Sequence, residues 1–446
     1  MNRQVVSVDF GKICGVIKPM HGVNNGPSGS AVRGTGNAAD YSAAGIPYAR
    51  THDSSFYTNY GGEFTVDVHR IFRNFDADEN DPASYLFTPT DQYLRSIIEA
   101  GTKVFYRLGA SIEHRYKYGT YPPKDFHKWA RVCEHIIRHY TEGWADGFNY
   151  DIEYWELWNE PDNYNADGTN PCWQGSSEEF IEFFCLALSH LKDRFPHLKI
   201  GGPAFVHAKS DMAPLLGELN KRKLTLDFLS YHGYETDPHV YPEKAARVRK
   251  LLDSYGFTDT ELHLNEWNYV KGWVGEDWKY SLKMEKGLKG SSFITATMCL
   301  MQYSKADMLM YYDARPCGMN GMFNTDTLEP LKGYYPFKAF GELYRLKGGV
   351  PVKSDDKELC ALAATNGKRH AVLLTYYSDN DGSGPKEVQI DLTHIDMQTP
   401  KKIELYLLDA THNLTCVRCE TVQSDTASLF LTLNLFDTYL MRITEA

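Results

Sequence analysis

The chain has 446 residues, 42% hydrophobic and 24% charged, a globular balance that excludes a disordered polymer. Its length suits three domains of about 150 residues, or two if one is an α/β barrel of roughly 250. Acidic residues outnumber basic ones, 58 to 47, for a formal net charge of −11, which argues against a nucleic-acid partner; no apolar run reaches the roughly 18 residues of a membrane span, so no membrane partner is expected.

At the N-terminus Met1–Ser7 has no apolar core of a secretory signal. The nine cysteines are odd in number and scattered, and Cys416 and Cys419 lack a second pair at zinc-ribbon spacing. A reduced, cytoplasmic location is the expectation. Residues 3–10 alternate and predict a strand that joins a module at the other end of the chain.

From about residue 11 to 340, strand-like and helix-like segments alternate. Continuous apolar runs at Ile13–Ile17, Ile46–Arg50, Val104–Leu108, Tyr154–Trp158, Leu198–Gly202, Leu226–Tyr231, Glu261–Leu264 and Met308–Tyr312 predict eight strands buried on both faces. Helical stripes fall between them. Tyr93, Leu94, Ile97 and Ile98 share one face; Trp129, Val132, Cys133, Ile136 and Tyr140 another; Phe180, Phe183, Ala187 and Leu191 a third; Val248, Leu251 and Leu252 a fourth. The fold class is α/β, a (β/α)8 TIM barrel over residues 11–340. No Gly-x-Gly-x-x-Gly follows the first strand, which disfavours a dinucleotide-binding open sheet. The Asn59–Pro89 segment is acidic and aromatic, and is predicted to lie over the mouth of the barrel. Residues 341–446 carry short β runs without helical spacers, and predict a C-terminal all-β sandwich. Asn366-Gly367, between two of these runs, reads as a type I′ hairpin turn.

In such a barrel the working side chains project from the C-terminal ends of strands. Strand 4 ends Trp158-Asn159-Glu160-Pro161, and strand 7 ends Asn265-Glu266-Trp267. Each sets a carboxyl at the end of an apolar strand, where desolvation beside Trp158 is expected to raise the pKa of Glu160. Two such carboxyls converging on one mouth suit glycosidic chemistry, one protonating the leaving oxygen while the other attacks the anomeric carbon. Glu156, deeper on strand 4, reads as a supporting group inside the barrel. Arg50, ending strand 2 before Thr51, His52 and Asp53, supplies a cation to keep a carboxylate ionised. His232 and Tyr234 on strand 6 can donate to the nucleophile or to a sugar hydroxyl. Trp273 and Trp278, after strand 7, can stack on sugar rings. The 16 histidines form no His-x-His or His-Glu-x-x-His pattern, so no metal and no organic cofactor is expected.

These stretches, with His21-Gly22-Val23-Asn24-Asn25-Gly26-Pro27, Arg50-Thr51-His52-Asp53, Gly201-Gly202-Pro203-Ala204 and the His232 segment, resemble glycoside hydrolase family 39. This is a clan A family of β-xylosidases and α-L-iduronidases. The likeness spans most of the chain, Asn-Glu-Pro being specific to the clan. It implies a retaining double displacement with Glu160 as acid/base and Glu266 as nucleophile. It further implies that Asn159 binds the 2-hydroxyl of the −1 sugar, that Arg50 supports the nucleophile, and that His52, His232 and Tyr234 line the sugar site. The expectation is an exo-acting, β-xylosidase-like glycosidase taking an oligosaccharide or glycoside. The alternatives are a non-catalytic carbohydrate-binding barrel, or a family member acting on arabinose, galactose, glucose or a uronic acid. Homo-oligomerisation is left open.

Overall fold

Eight of the short strands pair in parallel around a closed ring. They are β1 (Gly22–Asn24), β2 (Tyr48–Arg50), β3 (Lys103–Leu108), β4 (Tyr154–Leu157), β5 (Lys199–Phe205), β6 (Phe228–Glu235), β7 (Glu261–Tyr269) and β8 (Met308–Tyr311). The structure is a computed structural model that describes residues 3–30, 35–52, 65–111, 118–208, 212–395 and 398–446. Each strand pairs with its successor and β8 closes on β1, the arrangement of a TIM barrel. Helices cover the outside through the faces read from periodicity: Tyr93, Leu94 and Ile97 of Thr88–Glu99, Trp129, Val132, Cys133 and Ile136 of Phe126–Thr141, and Phe183, Phe184 and Leu188 of Ser177–Arg194 are all buried. Ser176 opens the last of these with a reciprocal capping box to Glu179. Inside the barrel, Phe105, Tyr154, Phe228, Met308 and Met310 form a buried plug with His263 stacked on Phe228. That plug leaves the opposite, C-terminal end for polar side chains.

Strand 1 differs from the sequence expectation. Ile13 and Val16 are 61% and 70% exposed, and Gly15–Val16 pairs antiparallel with Gly348 and Gly349 outside the barrel. The barrel strand is Gly22–Asn24, which carries a single apolar residue and so has no periodic signature. The last barrel helix, Tyr334–Leu346, also runs past position 340.

Beyond the barrel, two sheets face each other. One has the order Val352–Ser354, Gln4–Asp9, Lys386–Thr393, Thr426–Leu433, and Gln4–Asp9 is parallel to Lys386–Thr393. The other runs Asn413–Val422, Lys401–Leu408, Thr438–Glu445, His370–Tyr376, Leu359–Thr365, Gly348–Val350, Gly15–Val16. Val6, Val8, Val372, Leu374, Val388, Ile390, Leu405 and Leu429 share the core between them, which makes the pair a sandwich. The predicted two-residue turn is replaced by a longer one. Thr365 pairs with His370, so four residues intervene; Gly367 alone of them has a positive φ, 86°, and Asn366 Oδ1 accepts from the backbone N–H of Lys368 and Arg369. A type I′ turn needs positive φ at both central residues.

Of the Asn59–Pro89 segment, residues 59–64 lie outside the described residues, as does Asp53. From residue 65 it starts at the mouth, where Asp67 receives the Arg107 guanidinium at 2.7 Å and the Ser111 N–H at 2.9 Å. It then descends along the outer helices, where Tyr85 stacks on Phe87 and Glu79 pairs with Arg131 at 2.8 Å. The nine cysteines are free thiols. Among the described residues no helix is long and apolar enough to cross a membrane.

Candidate active site

Arg50, last residue of β2, is wholly buried at the C-terminal mouth. Its guanidinium spans the barrel: Nε donates to Glu156 Oε2 at 2.6 Å, Nη1 to Asn24 Oδ1 at 2.9 Å and Glu266 Oε1 at 2.8 Å, and Nη2 to Asn159 Oδ1 at 2.7 Å. Burial works against its charge, but Glu156 and Glu266 outweigh it and hold the pKa above the ordinary value. Glu156 is further fixed by Ser230 Oγ at 2.6 Å and Asn265 Nδ2 at 2.5 Å. A planar fork with fixed donors is the side chain that can serve four acceptors from three strands at once.

Glu160 stands just past β4. The strand stops at Leu157, before Pro161, because Trp158 (φ 71°) and Glu160 (φ 50°) take left-handed backbone angles that bulky residues adopt only under surrounding constraint. The constraint is visible. Trp158 N–H donates to Leu108 O at 2.7 Å and its indole Nε1 to Cys172 O at 2.9 Å, while the ring packs against Trp173 and Phe183. The expected aromatic wall is therefore on the helix side of the strand end. The groups touching the Glu160 carboxyl are His232 Nδ1, 2.8 Å from Oε1, Asn163 Nδ2, 2.8 Å from Oε2, and Cys172 Sγ, 3.7 Å from Oε2. Burial raises its pKa above the usual carboxyl value, against opposing pulls from His52, Asn163 and Arg50.

Glu266, within β7, accepts from Arg50 and from Tyr234 OH at 2.8 Å. His52 Nε2 lies 3.3 Å from its Oε1 and His232 Nδ1 3.4 Å from its Oε2. An oxygen of Glu160, an oxygen of Glu266 and a ring nitrogen of His232 all lie within 4.8 Å of one another. Burial lowers the His232 pKa to about 4, so the ring is neutral near pH 7. Burial, then the Glu266 charge, pushes the Tyr234 phenol well up, so it remains a donor.

The sequence profile of glycosyl hydrolases family 39 matches residues 29–280, more than half of the chain. The chain belongs to glycosyl hydrolases family 39. A β-xylosidase of Geobacillus stearothermophilus is 24% identical over 229 residues, 44% of this chain and 44% of the relative; the match thus spans less than half of that curated protein. The fold is shared with a glucosidase from Croceicoccus marinus (TM-score 0.82, 20% identity, 100% of both chains). A family 39 enzyme from Xanthomonas axonopodis pv. citri (0.75, 15%, covering 100% of this chain and 98% of that one) and a monomeric β-xylosidase from Caulobacter crescentus CB15 (0.71, 15%, 99% of both) also share it.

In this family 39 chain the mouth brings together Arg50, His52, Asn159, Glu160, His232, Tyr234 and Glu266. Trp273 is set apart. It is 54% exposed, meets the Tyr234 ring edge-on at 4.9 Å and stacks on Trp278 at 5.5 Å. Asn24 and Asn265, although inside the quoted stretches, and Ser230 were given no role from the sequence; a polar residue in an apolar barrel strand was the available signal. Asn163 and Cys172 carried none, since they sit in an irregular loop. The Glu160–His232–Glu266 cluster has the donor set of a metal site, but a divalent cation there would stand beside the Arg50 guanidinium, itself 2.8 Å from Glu266, and like charges in a buried site repel.

Proposed function

We propose that the chain is an exo-acting, retaining glycosidase of β-xylosidase type. Glu266 attacks the anomeric carbon, and Glu160 first protonates the leaving oxygen and then takes the proton of the incoming water. The observation that supports this most is the carboxylate spacing. An oxygen of each lies within 4.8 Å of the other, near the roughly 5–5.5 Å of retaining enzymes and short of the roughly 6.5–9.5 Å that leaves room for an inverting water. The environments suit the roles. Burial keeps Glu160 protonated to higher pH, whereas Glu266 accepts hydrogen bonds from Arg50 and Tyr234. Asn159, anchored by Arg50, and His52 contact the sugar, and Trp273, edge-on to Tyr234 at the outer rim, stacks on it.

A panel of nitrophenyl glycosides is expected to single out the β-xyloside, and proton NMR of that hydrolysis should show the β-anomer as first product. An α-xylose first product rules out double displacement. Glu266→Ala should abolish turnover with the fold intact. A non-catalytic barrel would instead bind glycosides across the panel and hydrolyse none.

A further inference from the structure

The loop leaving β4 carries two side chains that the double displacement does not use, and both reach one oxygen of the Glu160 carboxyl. Asn163 Nδ2 donates to Oε2 at 2.8 Å and Cys172 Sγ lies 3.7 Å from it, with Asn163 Nδ2 and Cys172 Sγ themselves 3.6 Å apart. The other oxygen, Oε1, faces His232 Nδ1 at 2.8 Å. The loop holds this arrangement rigidly. Asn170 Nδ2 donates to Pro161 O at 2.7 Å, Asn170 Oδ1 accepts from Cys172 N–H at 2.8 Å and Trp173 N–H at 3.0 Å, and the Trp158 indole donates to Cys172 O at 2.9 Å. Burial pushes the Cys172 thiol well up, so it stays an S–H, a weak donor, and not a thiolate.

We propose that Asn163, seconded by Cys172, is a positioning residue that fixes which oxygen of Glu160 carries the proton. This rests on Glu160 being the acid/base. An oxygen that accepts an amide N–H is the carbonyl-like oxygen of a carboxylic acid, so the proton resides on Oε1, against the neutral His232 ring. The torsion that exchanges the two oxygens is otherwise broad. In the first half-reaction the Oε1–H bond breaks as its proton passes to the glycosidic oxygen, the bond from that oxygen to the anomeric carbon opens, and Glu266 bonds to the carbon in its place. In the second, the water proton returns to Oε1 while the water oxygen bonds to the anomeric carbon and the ester bond to Glu266 breaks. His52 and Arg50 also act on Glu160, His232 stands at the opposite oxygen, and the Glu266 carboxylate, with an oxygen within 4.8 Å, and the Tyr234 phenol face it from β7 and β6.

The test compares Asn163→Ala with the wild-type enzyme on two β-glycosides, one with a dinitrophenyl and one with an alkyl leaving group. A hydrogen bond to a charged group is worth roughly tenfold or more in rate. Asn163→Ala should therefore lose about tenfold in kcat/KM on the alkyl glycoside and little on the dinitrophenyl one, which needs no proton. Without the donor the ionised carboxyl is less favoured, so the alkaline limb of the kcat/KM profile should move to higher pH. Asn163→Asp, the same shape without the donor, guards against a folding defect and should move that limb further. Cys172→Ala should give a smaller shift that Cys172→Ser restores. Wild-type leaving-group dependence and pH profile in both Asn163 variants would overturn the proposal. Glu160→Ala separates the two levels: full activity on the alkyl glycoside removes the acid/base reading itself, while its loss beside unchanged Asn163 variants removes only the positioning role.

Discussion

Arg50 serves Glu156, Asn24, Glu266 and Asn159 from full burial, so its replacement acts on fold and site together. Arg50→Gln leaves two buried carboxylates without their cation, which costs on the order of 3–5 kcal/mol and should lower the urea midpoint at neutral pH and silence hydrolysis. Arg50→Lys keeps the charge but has a single ammonium in place of the fork; it should recover part of the midpoint and little of the turnover. Glu285 is the opposite case. It is buried, its two carboxyl oxygens lack hydrogen-bond partners among the described residues, and burial pushes its pKa up from 4.5 to about 9. The folded protein then holds a proton that the unfolded chain releases. The stability is therefore full below pH 4.5 and declines as pH rises toward 9, by about 1.4 kcal/mol per pH unit. Glu285→Gln removes that slope. Its advantage over wild type in urea should widen from pH 5 to pH 8, and midpoints that differ equally at the two pH values would contradict this.

At the level of elements, the strand ends are set by close backbone approach. Gly202 in β5 has φ 129°, and a Cβ there would come 2.7 Å from Leu157 O and 3.4 Å from Glu156 Cγ. Gly202→Ala should therefore push β5 from β4 below the Arg50 network and destabilise the protein by about 3 kcal/mol, combining a strained φ with overpacking. Denaturation midpoints and turnover should fall together. The same features decide what was legible in the sequence. β3 to β8 and the covering helices announce themselves because burial on both faces, or on one stripe, demands apolar residues in a period. β1 does not, since three residues with one valine have no period. Asn413–Val422 has no apolar period either, being a polar, largely exposed edge strand. The carboxyls were legible because an Asn-Glu pair closing an apolar strand has no packing reason to be there. Trp158 was legible as an aromatic neighbour, but its left-handed φ, which turns the ring to the helices, has no signature in residue type.

For the whole molecule, the question is whether barrel and sandwich unfold separately. Helix Leu288–Gln302 is buried along nearly its whole length, because the barrel covers one side and the seven-stranded sheet the other. Ser292 Oγ donates to Tyr376 O at 2.9 Å, Lys289 pairs with Asp379 at 2.7 Å and Asp381 at 2.9 Å, and Phe293 packs on Tyr377. The apolar cluster of the barrel continues without a break into Cys360, Leu362, Ala364, Ala371, Leu373 and Leu440 of the sheet. The chain also begins in the sandwich with Gln4–Asp9, passes through the barrel and returns. A sheet face this apolar would be exposed if either part opened alone, so one cooperative transition is expected. The eight tryptophans all lie between 129 and 278, which makes indole fluorescence a probe of the barrel alone. Hydrogen exchange of His370–Tyr376 reports the sandwich. The two should give the same urea midpoint, and a sandwich strand that exchanges freely while fluorescence is still native would show instead that the sheets are a separately folding unit docked on the barrel.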